Sequence, residues 1–116
     1  MLIRVDMASG VPLFEQVAAS VRADIVAGAL SPGDRLPSAR EVAETLEINL
    51  HTVLHAYQQL RAEGLIDLRR GRGAVVSASV GPLAELTNDL RELVSRAAAL
   101  GVAPATLAAL VKEITV

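Results

Sequence analysis

The sequence predicts a mostly α-helical fold with one small β-hairpin, and three observations lead there. Apolar residues recur at helical spacing from Leu13 to Leu30 and again from Leu83 to Ile114. Between these stretches, LPSAREVAETLEINLHTVLHAYQQLRAEGLIDLRRGRG (36–73) carries two helix-start signals, Ser38 and Asn49, separated by one short helix and a tight turn. The same stretch ends in RRGRG, a glycine-bearing turn between two short β-capable runs. Helix, short helix, turn, helix and hairpin, in that order, make a winged helix-turn-helix, and the second apolar stretch adds a C-terminal two-helix segment.

The first helix follows from Leu13, Val17, Val21 and Ile25, which repeat every four positions and are joined by Val26 and Leu30. Pro12 suits its start and Gly28 its end, and SPGDR then reads as a turn. The second helix opens after Pro37. Ser38 and Glu41 have the spacing of a capping box, in which each side chain satisfies a backbone donor of the first turn. Its inner side is Val42, Ala43 and Leu46, and it stops at Glu47-Ile48 after about nine residues. Asn49 caps a third helix of about fifteen residues that runs to Gly64 and turns Val53, Tyr57 and Leu60 inward. Residues 65–68 and 74–77 are the hairpin strands, with glycine supplying the positive φ that the tight turn needs.

Beyond Ser79 the character changes. Val80-Gly81-Pro82 reads as a hinge, which divides the chain into a winged-helix domain (1–79) and a helical segment (80–116). In that segment Leu83, Leu86, Leu90, Leu93, Ala97 and Leu100 are spaced 3, 4, 3, 4 and 3 apart, the seam of a helix that packs along another. Gly101 ends it, and Pro104 opens a last helix with Leu107, Leu110, Val111 and Ile114 on its apolar side. So short a pair cannot close a core alone. These ten residues are therefore the expected dimerisation surface, with packing inside one chain as the alternative.

Composition narrows the function. At 52% hydrophobic and 21% charged, the chain has the material for a packed core and lacks the profile of a disordered one. With no cysteine, disulfides, thiolate metal sites and cysteine nucleophiles are excluded. Neither a signal-peptide core nor a run of about 20 apolar residues is present, so a soluble cytoplasmic protein without membrane contact is expected. The net charge of -2 does not by itself point to nucleic acid, but its distribution does: Arg69, Arg70 and Arg72 cluster, and no acid follows between Asp67 and Glu85. Fields act over a Debye length of roughly 8 to 10 Å, so a basic tip works on a mildly acidic protein. Phe14 and Tyr57 are the chain's aromatic residues, too few for the stacking platform that single strands require.

A helix-turn-helix lays its second helix in the major groove of duplex DNA, where the first side chains reach base edges. Here those are Asn49, Leu50, His51, Thr52 and, one turn on, His55. Ser38 and Arg40, at the start of the preceding helix, suit a phosphate, and Arg69, Arg70 and Arg72 suit further phosphates or the minor groove. His51 and His55, four apart, could be imagined around a metal, but neither a cysteine nor an HExxH motif supports them, and no metal or other cofactor is expected. The glycines of RRGRG precede a strand rather than a helix, which argues against a nucleotide cradle. No nucleophile–base pair is apparent, so an enzyme is not expected. The alternative is a winged-helix protein-interaction module without DNA binding.

LPSAREVAETL, NLHTVLHAYQQLRAEGLI and RRGRGAVV resemble the signature of the GntR family of bacterial transcription regulators, and SGVPLFEQV with the Ala56-Tyr57 pair is similar to its short YtrA-type branch. The resemblance is strong from Val11 to Ser77 and looser over the tail. It implies a winged helix-turn-helix that binds an operator as a homodimer, usually to repress, with a two-helix dimerisation tail and no large effector domain; two-fold symmetry of such a dimer then requires an inverted repeat. By the same resemblance Arg40 matches a DNA-contacting arginine, Thr52 a threonine of the recognition helix, and Gly71 and Gly73 the wing glycines whose backbone approaches DNA. Leu50, His51 and His55 depart from common residues of the family, which bears on the operator sequence. A small-molecule effector is left open.

Overall fold

The computed structural model describes residues 3–115, the side chain of Ala84 apart. Its elements run α1 (Leu13–Val26), α2 (Ala39–Leu46), α3 (Leu50–Ala62), β1 (Ile66–Arg69), β2 (Gly73–Val76), a 3₁₀ turn (Ala78–Val80), α4 (Gly81–Ala99) and α5 (Pro104–Ile114). The fold is thus mostly helical with one antiparallel hairpin, as the sequence predicts. The chain divides into two compact units, Met1–Ala84 and Glu85–Val116.

In the first unit, Pro12 is the N-cap of α1, where its missing N–H costs nothing, so the helix starts one residue later than expected. Val17, Ala18, Val21 and Ile25 form its buried stripe. Gln16 ties the preceding segment to the helix: its Nε2 donates to the carbonyls of Asp6 and Val11 at 3.1 and 2.8 Å, and its Oε1 accepts from the Asp6 N–H at 2.6 Å. That clip lets Ile3 reach the core. Ser38 caps α2 by accepting from the Glu41 N–H at 3.1 Å. The reciprocal bond expected of Glu41 is not among those of the described residues, so only half of the capping box forms.

The helix-turn-helix corner is made by Glu47, which ends α2 in the left-handed conformation at φ 55° and ψ 46°. Ile48 N–H then donates back to the Ala43 carbonyl at 3.0 Å, closing the turn. Asn49 caps α3 through its Oδ1, which accepts from the His51 N–H at 2.7 Å. Val53, Ala56, Tyr57 and Leu60 face inward, Ala56 being an addition to the expected set. The two helices have 8 and 13 residues, each slightly shorter than expected. Arg22 on α1 donates from Nε and one Nη to the two oxygens of Glu63, at 2.9 and 2.8 Å, and holds that carboxyl below the usual carboxylate range. With 37% and 35% of these side chains exposed, the pair contributes at most about 1 kcal/mol.

The hairpin pairs Ile66 with Val76 and Arg69 with Gly73. A third strand-like stretch, read from sequence as part of a turn, lies along the far side of β2: Arg35 bridges Val75, Leu36 N–H donates to Ala74 and Gly33 N–H to Val76. β2 is therefore the central strand, and Ala74, Val75 and Val76 are buried. Leu60, Ile66, Val17, Val21, Val53 and Val76 are the largest fully buried side chains, so the core lies between α1, α3 and the sheet.

The Val80-Gly81-Pro82 stretch, expected to be non-helical, is instead helical. Val80 is buried in the winged-helix core, and Gly81 takes helical angles (φ -50°, ψ -50°) at the start of α4, whose first turn accommodates Pro82 without losing a bond. Leu83 packs against the same core. In the second unit, α4 ends in a Schellman turn, with Val102 N–H donating to Ala97 and Gly101 N–H to Ala98. Ala97 is buried there, whereas α5 buries no residue. Of the expected dimer surface, Leu83 and Ala97 are thus covered by their own units. Leu107 is half-buried, while Leu86, Leu90, Leu93, Leu100, Leu110, Val111 and Ile114 are exposed. Among the described residues, no helix is long and apolar enough to cross a membrane.

Candidate nucleic-acid interface

The buried stripe of α3 determines what the helix shows to solvent. With Val53, Ala56, Tyr57 and Leu60 inward, the opposite face carries His51, His55, Gln58 and Ala62, flanked by Leu54, and all five are exposed. Leu54 and Gln58 were missed in the sequence, although steps of three and four from His51 and His55 lead to them. The two flanks of α3 differ. On one, Leu50 is half-buried against the core and lines a shallow cleft with Arg40, Ala43, Glu44 and Ile48. On the other, a second cleft is lined by Leu13, Phe14, Asn49, His51, Thr52 and His55.

The expected readers therefore have different surroundings. Asn49 spends its oxygen on the cap and keeps its amide nitrogen. Thr52 is half-buried, His51 is exposed, and His55 is exposed with one ring face against Phe14. Leu50 has only its outer edge available, because the core claims the rest.

The α3 helix is braced from behind by Tyr57. Its ring is buried, and its hydroxyl donates to the Pro37 carbonyl at 2.6 Å, next to the Ser38 cap of α2. Burial, and then the negative charge of Glu41, push that hydroxyl above the ordinary tyrosine range, so it is a fixed donor.

The hairpin places its basic residues at a tip. Arg72 N–H donates to the Arg69 carbonyl at 3.1 Å, and Gly71 sits at the third turn position with φ 81°, as a type II turn requires. Gly73 follows at φ 73°. Arg69 is partly occupied by Asp67 at 3.5 Å; Arg70 and Arg72 have no acidic partner among the described residues. Arg35 is a further residue that the sequence reading passed over. Its Nε donates to the Arg72 carbonyl at 2.9 Å, tying the strand-like stretch to the wing tip. Together with Ser38, Glu41 and Gly73 these two arginines line a cleft between wing and α2. Arg40, in the first turn of α2, is exposed. A basic residue just before the LPS motif was the available signal for Arg35, but its partner 37 positions away was not legible.

The chain matches the model of the gntR family of bacterial regulatory proteins over residues 13–76. It is 33% identical to the HTH-type transcriptional repressor YtrA of Bacillus subtilis (strain 168), over 98% of this chain and 92% of that protein. Among solved structures it is similar to YtrA from Sulfolobus acidocaldarius, a GntR-family transcription factor, with a TM-score of 0.63, 38% identity, and coverage of 85% of this chain and 99% of that one. The DNA-binding domain of AraR, solved in complex with operator ORX1, shares the fold at a TM-score of 0.57 and 24% identity, over 64% of this chain and 92% of that one. These relatives are regulators rather than enzymes, and the matched segment contains the helix-turn-helix and the wing. The chain is a member of the GntR family of bacterial transcription regulators.

Proposed function

We propose that the protein binds double-stranded operator DNA as a homodimer in the cytoplasm and represses transcription. The observation that carries this reading is the outward face of α3, capped by Asn49 and flanked by the arginine-tipped wing. In a major groove, His51, His55 and Asn49 offer hydrogen bonds to base edges, and Leu50 and Leu54 offer apolar contact to thymine methyls. Thr52 adds its hydroxyl to the base-edge set, Ser38 and Arg40 approach the backbone, and Arg69, Arg70, Gly71, Arg72 and Gly73 bring the wing onto phosphates or into the minor groove. AraR, which shares the fold, was solved on an operator, and the B. subtilis relative is a repressor; both support the reading.

Dimerisation is supported by the second unit, where Leu86, Leu90, Leu93, Leu100, Leu110, Val111 and Ile114 stay exposed. So much apolar side chain on two helices calls for a cover. A two-fold dimer then reads an inverted repeat with half-sites about one helical turn apart or a multiple of it. Selection of bound duplexes from a random pool tests the proposal: an inverted repeat should be enriched. If no duplex is enriched, the winged helix serves protein contacts instead.

A further inference from the structure

Phe14 is the chain's single phenylalanine, and it sits in the first turn of α1, half-buried against the core. Its ring lies flat on the His55 imidazole, with centroids 4.0 Å apart and planes 16° from parallel. His55 belongs to the outward face of α3, so an aromatic residue of a different helix reaches the face that the core stripe leaves open. The other exposed side chains of that face, His51, Gln58 and Leu54, have no such ring contact among the described residues.

Stacking determines what the imidazole can do. It covers one ring face and leaves the rim, where both nitrogens lie, and neither nitrogen has a hydrogen-bond partner among the described residues. A histidine free in solvent must give up rotamer freedom to meet a base, whereas a ring held against a core-anchored phenylalanine has already been oriented by folding. An imidazole N–H on that rim matches the N7 or O6 acceptors of a purine edge in the major groove.

We infer that Phe14 is a positioning residue for base readout: it holds the His55 imidazole so that its N–H edge meets a purine acceptor at one base pair of each half-site. The inference rests on α3 being the recognition helix. It adds a residue of α1, outside the helix-turn-helix, to the determinants of sequence preference.

The test uses the full chain, the enriched operator, and every single-base-pair variant of it. His55→Ala should flatten preference at one base pair per half-site. Phe14→Leu should flatten the same position by about 3- to 10-fold, the range of an aromatic pair, and add nothing in the His55→Ala background. Phe14→Tyr should restore the preference. In the free protein, the His55 ring protons should be shifted upfield by the phenyl ring and released by Phe14→Leu, which reports on the stack without DNA, while retained dispersion of the other resonances shows that the variant is folded. A flattening at all positions alike, an additive effect with His55→Ala, or a His55→Ala profile equal to the parent would overturn the inference while leaving DNA binding intact. Failure of the parent protein to select any duplex would instead remove the recognition-helix reading itself.

Discussion

Glu47 turns the chain between the two helices at φ 55°, and it is the one described residue other than glycine with a positive φ. A left-handed conformation costs an L-residue roughly 1–2 kcal/mol, and glycine's extra freedom in the unfolded chain takes back about half of that gain. Glu47→Gly should therefore raise stability by about 0.5–1 kcal/mol in a denaturant titration. An unchanged or lowered midpoint would mean that the corner is not held in this conformation. Tyr57 gives a second prediction at this scale. Tyr57→Phe leaves the Pro37 carbonyl without its donor and should cost about 1–2 kcal/mol. Because the folded-state pKa of Tyr57 is raised, its contribution is complete below the unfolded value of about 10 and is lost as pH rises past it. Stability should thus fall in that alkaline window for the parent and much less for Tyr57→Phe. As this is the only tyrosine, its absorbance titration checks the same shift directly.

Among the elements, the wing is the one whose DNA contact salt dependence can report. Each phosphate contact adds about 0.9 to the slope of log affinity on log salt. Arg69 shares its charge with Asp67, so Arg70 and Arg72 should dominate. Changing all three to alanine should lower the slope of a dimer by roughly 2 to 4, measured by titration at several salt concentrations; an unaltered slope would place the wing off the DNA. The helices and hairpin were legible in the sequence because their signals are local: Ser38 and Asn49 cap, Gly64 stops, and the apolar stripe recurs at helical spacing. What escaped was non-local. The pairing of residues 33–36 with β2 depends on a partner some 40 positions away, and both the Arg35–Arg72 bond and the Phe14–His55 stack cross elements. The helical start at Gly81 escaped for a different reason. Glycine and proline punctuate loops but are equally at home in a helix's first turn, and burial of Val80 decides between the two.

For the whole molecule, the two units suggest a division of labour, with the winged helix meeting DNA and the two-helix unit joining copies. Linking two copies raises the effective concentration of the second half-site contact toward millimolar, so loss of the dimer should cost affinity by roughly 10²- to 10⁴-fold. Leu90→Asp with Leu93→Asp places charges on the exposed face of α4 and should give a folded monomer in sedimentation, with weak half-site binding. A truncation meant to show the same thing should keep Val80 and Leu83, since both belong to the winged-helix core. A parent protein that is monomeric at micromolar concentration would contradict the dimer.

Whether the outward face of α3 reads duplex sequence is measured by the affinity ratio between the enriched operator and a scrambled duplex of equal length at fixed salt. The intact protein should prefer the operator by about 10³-fold or more, and His51→Ala should reduce that ratio while leaving scrambled-duplex binding nearly unchanged. A ratio near one for the intact protein, or a ratio indifferent to every substitution on that face, would mean that this face of α3 does not read sequence.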